Sequence, residues 1–262
     1  MQDCRPGVAP VVKGDKLSKD QCSKNEVEMR TMKDVPYASV VGYLMYIQVC
    51  TRLDIAFVVN MLGRFSSNPR WAHWVAAKKV MRYLQRTKDF MLVYKKVDDL
   101  DLLVYSDSDF AGYQDTMKST SLYIFILGRG VISWKSEKQS ITATSTMESE
   151  FIACFETASH AVWMKNFLTK LQIVDFISKP VTIFCDNSAS VFFSKNNKRI
   201  RGSKHVSLKF LKVRDMVKEG DICIKHISTE SMLVDPLTKG LRPVVFNEHA
   251  KNMGILESFD VL

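Results

Sequence analysis

In the stretch DLLVYSDSDFAGY, residues 101–113, two acids, Asp107 and Asp109, follow directly on an apolar run that reads as a buried strand. Two-residue alternation places Leu103, Tyr105 and Asp107 on one strand face and Leu102 and Val104 on the other, with the strand closing at Asp107. A carboxylate at the end of a core strand has no helix to cap and costs desolvation, so a positive partner is expected beside it.

Three further segments set acids at the ends of elements. VTIFCD closes an apolar strand on Asp186 and turns into NSAS. Glu148 and Glu150 occupy the first turn of a predicted helix, behind the Ser/Thr-rich lead SITATSTMES. Asp235 stands immediately before Pro236 at a predicted helix start. Capping chemistry accounts for Asp186 and Asp235 taken singly, and the helix dipole accounts for each glutamate. Brought to one sheet edge, however, such acids repel one another unless protons or cations intervene. Hard oxygen donors suit Mg²⁺ or Mn²⁺ better than zinc, and a pair of these ions about 4 Å apart can activate water and stabilise the leaving oxygen of a phosphodiester.

The elements that must position these acids follow from periodicity. Residues 1–35 are charged and turn-rich and read as a flexible or peripheral segment. Helices are predicted around Val41, Leu44, Met45 and Gln48, around Ile55, Val58, Val59 and Leu62, and after Pro69, where Trp74, Ala77, Met81 and Leu84 repeat at helical spacing. Trp71 and His73 read as ordinary residues of that third helix. From about residue 90 the period shortens: FMLVYKK, DLLVYSD, TSLYIFILG and GVISWKS read as neighbouring antiparallel strands. A long helix follows, with Phe151, Phe155, Ala158, Val162, Lys165 and Leu168 on one face. Then come the strand PVTIFCD, a short helix at SASVFFSK, a basic loop, a helix in VSLKFLKVRDMVKEG, the strand DICIKHI and a helix after LVDPLTKG. That order is an α/β plan burying one mixed sheet.

The totals narrow the function classes. With 262 residues, 46% of them hydrophobic, the chain can bury a sizeable core. The excess of 37 Lys and Arg over 28 acids gives a formal charge of +9, concentrated in residues 70–100 and 195–218, and is compatible with polyanion binding. Six cysteines with no C-x-x-C pair exclude a zinc-finger pattern and fit a reduced, intracellular chain. The N-terminus lacks the apolar core of a signal peptide, and no apolar run is long enough to span a membrane.

Seven stretches, in this order, carry a resemblance: YASVVGYLMYIQVCTRLDIAFVV, GRFSSNPRWAHWVAAKKVMRYLQRTKDF, VYSDSDFAGYQDTMKSTSLYIFILGRGVISWKSEKQ, STMESEFIA, TIFCDNSASV, SKHVSLKFLKVRDMV and LVDPLTKGL. The chain resembles the C-terminal part of the copia-type LTR retrotransposon polyprotein, the end of the reverse transcriptase joined to its ribonuclease H domain. The resemblance implies a ribonuclease H-like mixed five-stranded sheet at residues 96–242. A helical reverse-transcriptase remnant at 36–95 precedes it, and a tail at 243–262 follows. It implies cleavage of the RNA strand of an RNA–DNA hybrid by four acids, Asp107, Glu150, Asp186 and Asp235, holding two Mg²⁺ ions, with Mn²⁺ as a substitute. Glu150 is preferred to Glu148 because it is followed by FIA. Phosphate contacts are expected from Lys198, Arg199, Arg201, Lys204, Lys209 and Arg214, with Asn187 and Ser188 donating to backbone oxygens. The implied partners are an RNA–DNA hybrid or other nucleic acid and the remaining polyprotein parts, with no membrane. The alternative is a catalytically silent nucleic-acid-binding fragment.

The chain also departs from the family. It has none of the polymerase palm with its paired aspartates, so DNA synthesis by this chain alone is not expected. Leu53 stands at a usual proline, Leu122 at a usual glycine, and Ser207 and Leu211 at a usual Asp and His. Leu211 is expected to be a core residue of its helix.

Overall fold

The computed structural model describes residues 4–12, 14–15, 17–97, 100–113, 116–171, 179–195 and 204–257, and it divides into two compact units. The first comprises residues 1–93 with 239–262, and the second residues 94–238.

The first unit holds α1 (Glu26–Met32), α2 (Tyr37–Cys50), α3 (Ala56–Gly63), α4 (Trp71–Arg86) and α8 (Pro243–Asn252), with β1 (Met91–Leu92) and β7 (Ile255–Leu256) paired antiparallel. Asn25 caps α1 by accepting from the Glu28 amide, and Pro243 opens α8 where a missing N–H costs nothing. Tyr37, Val41, Leu44, Ile55, Val59 and Leu62 pack with Ala77, Val80, Tyr83 and Phe246 into one core. The inward face of α4 is His73, Ala77, Val80 and Tyr83, with Trp74, Met81 and Leu84 at its margin. That face is rotated by one residue from the one predicted on Trp74, because the polar His73 packs inward against Phe65. Asp54 organises the interior: Arg52 donates to both of its oxygens at 3.0 and 2.8 Å, and the Tyr83 hydroxyl donates at 2.6 Å.

Two expectations change in this unit. The tail predicted at 243–262 contains a helix with Phe246, His249 and Ala250 buried, and the N-terminal segment places Ala9 and Val11 in the core. FMLVYKK contributes a strand, but its partner is β7 and not the strands that follow it. Such two-residue pairing across the chain leaves no periodic trace in sequence.

The second unit is built on one mixed sheet: β2 (Leu103–Tyr113), β3 (Lys118–Leu127), β4 (Gly130–Lys138), β5 (Val181–Cys185) and β6 (Ile222–His226), in the spatial order β4-β3-β2-β5-β6. The β2-β3-β4 meander is antiparallel, while β5 joins β2 and β6 joins β5 in parallel. Parallel neighbours require crossovers, supplied by α5 (Thr146–Lys170) and by α6 (Ser188–Lys195) with α7 (Lys204–Lys218). Val104, Phe125, Ile183 and Ile224 of the sheet meet Phe151, Ala158 and Ala161 of α5 and Phe210 and Val213 of α7. Additional helices in the sequence precede this ribonuclease H-like mixed sheet, as the resemblance implies.

The strand predicted to close at Asp107 runs on to Tyr113, because β3 continues to pair with it through Asp109 and again at Tyr113. Parallel pairing with β5, by contrast, stops at Tyr105 opposite Phe184. Asp107 therefore lies just beyond the last parallel rung, where β2 outruns its neighbour. Leu211, expected in the core, is exposed on α7, whose inward face is Phe210, Val213 and Met216.

Candidate metal centre

Three of the four predicted acids meet. One carboxylate oxygen from each of Asp107, Glu150 and Asp186 lies within 4.8 Å of the others. Each arrives on a different element: Asp107 on β2, Glu150 in the second turn of α5, and Asp186 on the first residue after β5. Asp107 and Glu150 are buried and Asp186 is half-buried. Asp235, buried in a 3-10 turn with Pro236 and Leu237, is not in this group. Its main-chain carbonyl accepts from the amide and hydroxyl of Thr238, so it closes its own turn.

Local bonds explain why the three converge. Ser145 caps α5 by accepting from the Glu148 amide, and the Glu148 carboxylate reaches back to the Thr144 amide at 2.7 Å. Glu148 is thereby spent on the cap, while Glu150, two residues on, turns toward β2. Ser149 ties the same turn to the strand through a 2.8 Å contact between its hydroxyl and that of Ser108. Gln139, after β4, donates to the Ser149 carbonyl at 2.9 Å and to the Ser121 hydroxyl at 3.1 Å, fixing α5 against the meander. Farther along, Thr157 donates to the Ser106 hydroxyl at 2.9 Å. The Ser108 amide donates to Asp107 Oδ1 at 2.7 Å and aims that carboxylate.

Asp186 is held from the far side. The Ile227 amide extends the β5–β6 ladder to the Cys185 carbonyl at 2.9 Å, His226 Nε2 lies 3.0 Å from the Asp186 carbonyl oxygen, and Thr229 Oγ1 donates to Asp186 Oδ2 at 3.2 Å. Sequence reading named neither His226 nor Thr229. Their only signal is position, at and just past the end of β6, the strand parallel to the one that leads into Asp186.

The electrostatics are those of an acid cluster wanting a counter-charge. The Glu150 carboxyl is held well above the usual carboxylate range, first by burial, then by the charges of Asp107 and Asp186, against an opposing hydrogen bond from Ser108. Asp109, the other acid of the opening motif, folds over Gly112 instead: a Cβ there would lie 1.7 Å from Asp109 Oδ2, so any larger residue would push this carboxylate aside.

The predicted phosphate-contact residues are placed unevenly. Lys198, Arg199 and Arg201 lie outside the described residues. Lys204 opens α7. The Lys209 ammonium lies 4.0 Å from Glu156 and over the Phe155 ring at 5.0 Å, so α5 already engages its charge. Arg214 is half-buried on α7, Asn187 receives the Val191 amide on its carbonyl at 3.2 Å, and Ser188 is exposed at the start of α6.

Among proteins of known sequence, the chain is 38% identical over 239 residues to the Retrovirus-related Pol polyprotein from transposon TNT 1-94 of Nicotiana tabacum, covering 91% of this chain and 18% of that protein. It is 36% identical over 221 residues to the Retrovirus-related Pol polyprotein from transposon RE2 of Arabidopsis thaliana, covering 84% of this chain and 15% of that protein. It is 44% identical over 133 residues to the Secreted RxLR effector protein 161 of Plasmopara viticola, covering 51% of this chain and 94% of that protein. The chain thus spans less than a fifth of the two polyproteins it matches. No protein-family model matches it.

Proposed function

The chain belongs to the copia-type retrotransposon Pol polyproteins, and on that premise we propose that its second unit hydrolyses the RNA strand of an RNA–DNA hybrid with the help of two Mg²⁺ ions. The observation that carries this reading is the meeting of Asp107, Glu150 and Asp186 from three separate elements. Capping and dipole roles account for Asp186 and Glu150 taken singly, but not for Asp107, nor for why three acids should converge at one sheet edge.

The residues fit divalent ions. The donors are carboxylate oxygens, two of the acids are buried, and burial, with the charges of Asp107 and Asp186, holds the Glu150 carboxyl well above the usual carboxylate range. Asp107, Glu150 and Asp186 would hold the metal, with Asp235 proposed as the fourth acid from the resemblance. When bound, the ions supply an activated water on one side of the phosphodiester and charge stabilisation of the leaving oxygen on the other. The protein's own part is positioning. The Ser108 amide aims Asp107, the Thr229 hydroxyl aims Asp186, and the α5 cap delivers Glu150. Lys198, Arg199, Arg201, Lys204, Lys209 and Arg214, with Asn187 and Ser188, are proposed to grip the two strands, whose 2′-hydroxyls distinguish RNA.

A labelled RNA–DNA hybrid incubated with the chain in Mg²⁺ tests the proposal. RNA-strand cleavage should vanish in Asp107→Asn and in Asp186→Asn; cleavage that survives both overturns it. A second reading, a silent hybrid-binding module, draws on the position of Asp235 outside the three-acid group. It expects salt-sensitive binding with no cleavage at any Mg²⁺ or Mn²⁺ concentration.

A further inference from the structure

The first unit contains a cationic concavity that the nuclease reading does not use. GRFSSNP, the start of one of the stretches that carry the family resemblance, forms one of its walls through Arg64, Phe65, Ser67 and Asn68, and the segment around Lys19 and Lys24 forms the other. The cavity measures about 360 Å³.

Both walls are fixed in place. The Lys19–Gln21 turn is closed by the Gln21 side chain accepting from the Ser18 amide at 3.3 Å. Beyond it, the Ser23 hydroxyl donates to the Pro69 carbonyl at 3.0 Å and Asn68 Nδ2 donates to the Ser23 carbonyl at 3.2 Å. An ion pair between Arg70 and Glu28 fastens the same two segments. Phe65 is buried, stacked on His73 with ring centroids 4.2 Å apart, and gives the pocket a rigid base.

Three basic residues, Lys19, Lys24 and Arg64, thus line a common space from two sides, and none of the described lining residues is acidic. Like charges held together by unrelated bonds repel, and an anion between them turns that repulsion into attraction. The lining combines a hydroxyl side chain, Ser67, with one residue bearing a planar guanidinium and two bearing ammonium groups. That donor set suits a multi-oxygen, tetrahedral anion better than a halide or a single carboxylate.

We infer that this concavity binds a phosphate group, carried by a nucleic-acid backbone or present as inorganic phosphate. No acid of the metal centre takes part, so the inference stands or falls independently of hybrid cleavage.

The test uses the full chain and a Lys19→Gln/Lys24→Gln double variant. Both lysines are exposed, so the fold should survive; a Lys88→Gln/Lys251→Gln variant, exposed elsewhere in the same unit, matches the loss of charge. Affinity for a fluorescent single-stranded oligonucleotide is measured from low to moderate salt, and inorganic phosphate is titrated in a thermal-shift assay. If the pocket takes a backbone phosphate, the Lys19/Lys24 variant lowers the slope of log K against log salt by about one to two, and the control pair lowers it less. If it takes free phosphate, the slope is kept and the phosphate-induced rise in Tm is lost in that variant alone. Retention of both signals, or equal losses in the control pair, overturns the inference.

Discussion

Thr229 Oγ1 donates to Asp186 Oδ2 at 3.2 Å, so a hydroxyl just past the end of β6 orients an acid that stands just past the end of β5. Groups that orient metal ligands typically alter metal affinity or activity by 10–100-fold when removed. Because Thr229 is exposed, the lower end applies. Thr229→Val is expected to raise the Mg²⁺ concentration needed for half-maximal hybrid cleavage by about 10-fold, while Thr229→Ser restores it. An Mg²⁺ titration of initial cleavage rates is the check, and equal curves for Val and Ser would remove Thr229 from the site.

Glu150 sits between two other acids in a buried position, an arrangement that favours binding over folding. Glu150→Gln keeps the shape and avoids the cost, set by burial beside Asp107 and Asp186, of either taking up a proton or bearing a like charge there. In chelator the variant should therefore be more stable than the parent, by about 1 kcal/mol, as expected when function holds a site in strain. The parent should gain Tm as Mg²⁺ or Mn²⁺ is added, because the ion binds the folded chain alone, and Glu150→Gln should gain little. Thermal melts with and without divalent ions read both effects; a variant less stable than its parent in chelator contradicts the repulsion.

Much of this centre can be read from the chain, for reasons tied to local order. Asp107 and Asp186 each follow a mostly apolar strand, so a local pattern points to them. Glu150 could not be separated from Glu148 on local grounds, since both occupy the start of one helix; the resemblance favoured Glu150, and the α5 cap uses Glu148. The continuation of β2 to Tyr113 was hidden because SDSDFAG reads as a turn when considered alone. It is strand because Lys118 to Thr120 supply partners. The pairing of Met91 with Leu256, the inward turn of His73 and the bond from Thr229 depend on residues distant in sequence. No window of neighbouring residues contains that information.

Leu122 occupies a usual glycine position of the family and is fully buried, directly opposite Asp107 in the β2–β3 register. Restoring glycine there would leave a cavity and loosen the strand that backs the acid. Leu122→Gly should cost about 3–5 kcal/mol of stability, measured by urea denaturation. A near-neutral result would mean that the neighbouring side chains refill the space.

His73 gives the first unit a pH response. Its ring is buried, Nδ1 accepts from the Arg70 amide at 3.0 Å, and Nε2 has no hydrogen-bond partner among the described residues. A proton added at Nδ1 would face the Arg70 N–H. Burial holds the imidazole below its usual pKa. An unfolded histidine titrates near 6.5. The group's contribution to stability is therefore complete above that value and is lost as pH falls toward the lowered folded value. The Tm of the first unit should drop on acidification from neutral pH, and His73→Leu should flatten that drop even where its Tm at neutral pH is lower. Parallel Tm-against-pH curves for the two chains would show that another group controls the response.

Asp54 is the most consequential polar residue of the first unit. It is buried, takes both bonds of the Arg52 fork and receives the Tyr83 hydroxyl, while Arg52 also donates to the Thr87 carbonyl at 3.1 Å. The paired ions need not stabilise the fold more than apolar residues of the same volume would, but removing one partner strands the other charge in the interior. Asp54→Asn keeps the size and loses the charge, and it should destabilise the first unit by about 3–5 kcal/mol. Burial, the leading cause that holds the Tyr83 hydroxyl above its usual range, persists in the variant and opposes ionisation of the phenol to replace the missing carboxylate. Amide hydrogen exchange resolves the outcome by location: α3 and α4 should lose protection relative to β3 in the second unit. Unchanged protection in α3 and α4 would show that Arg52 finds another partner once Asp54 is neutral.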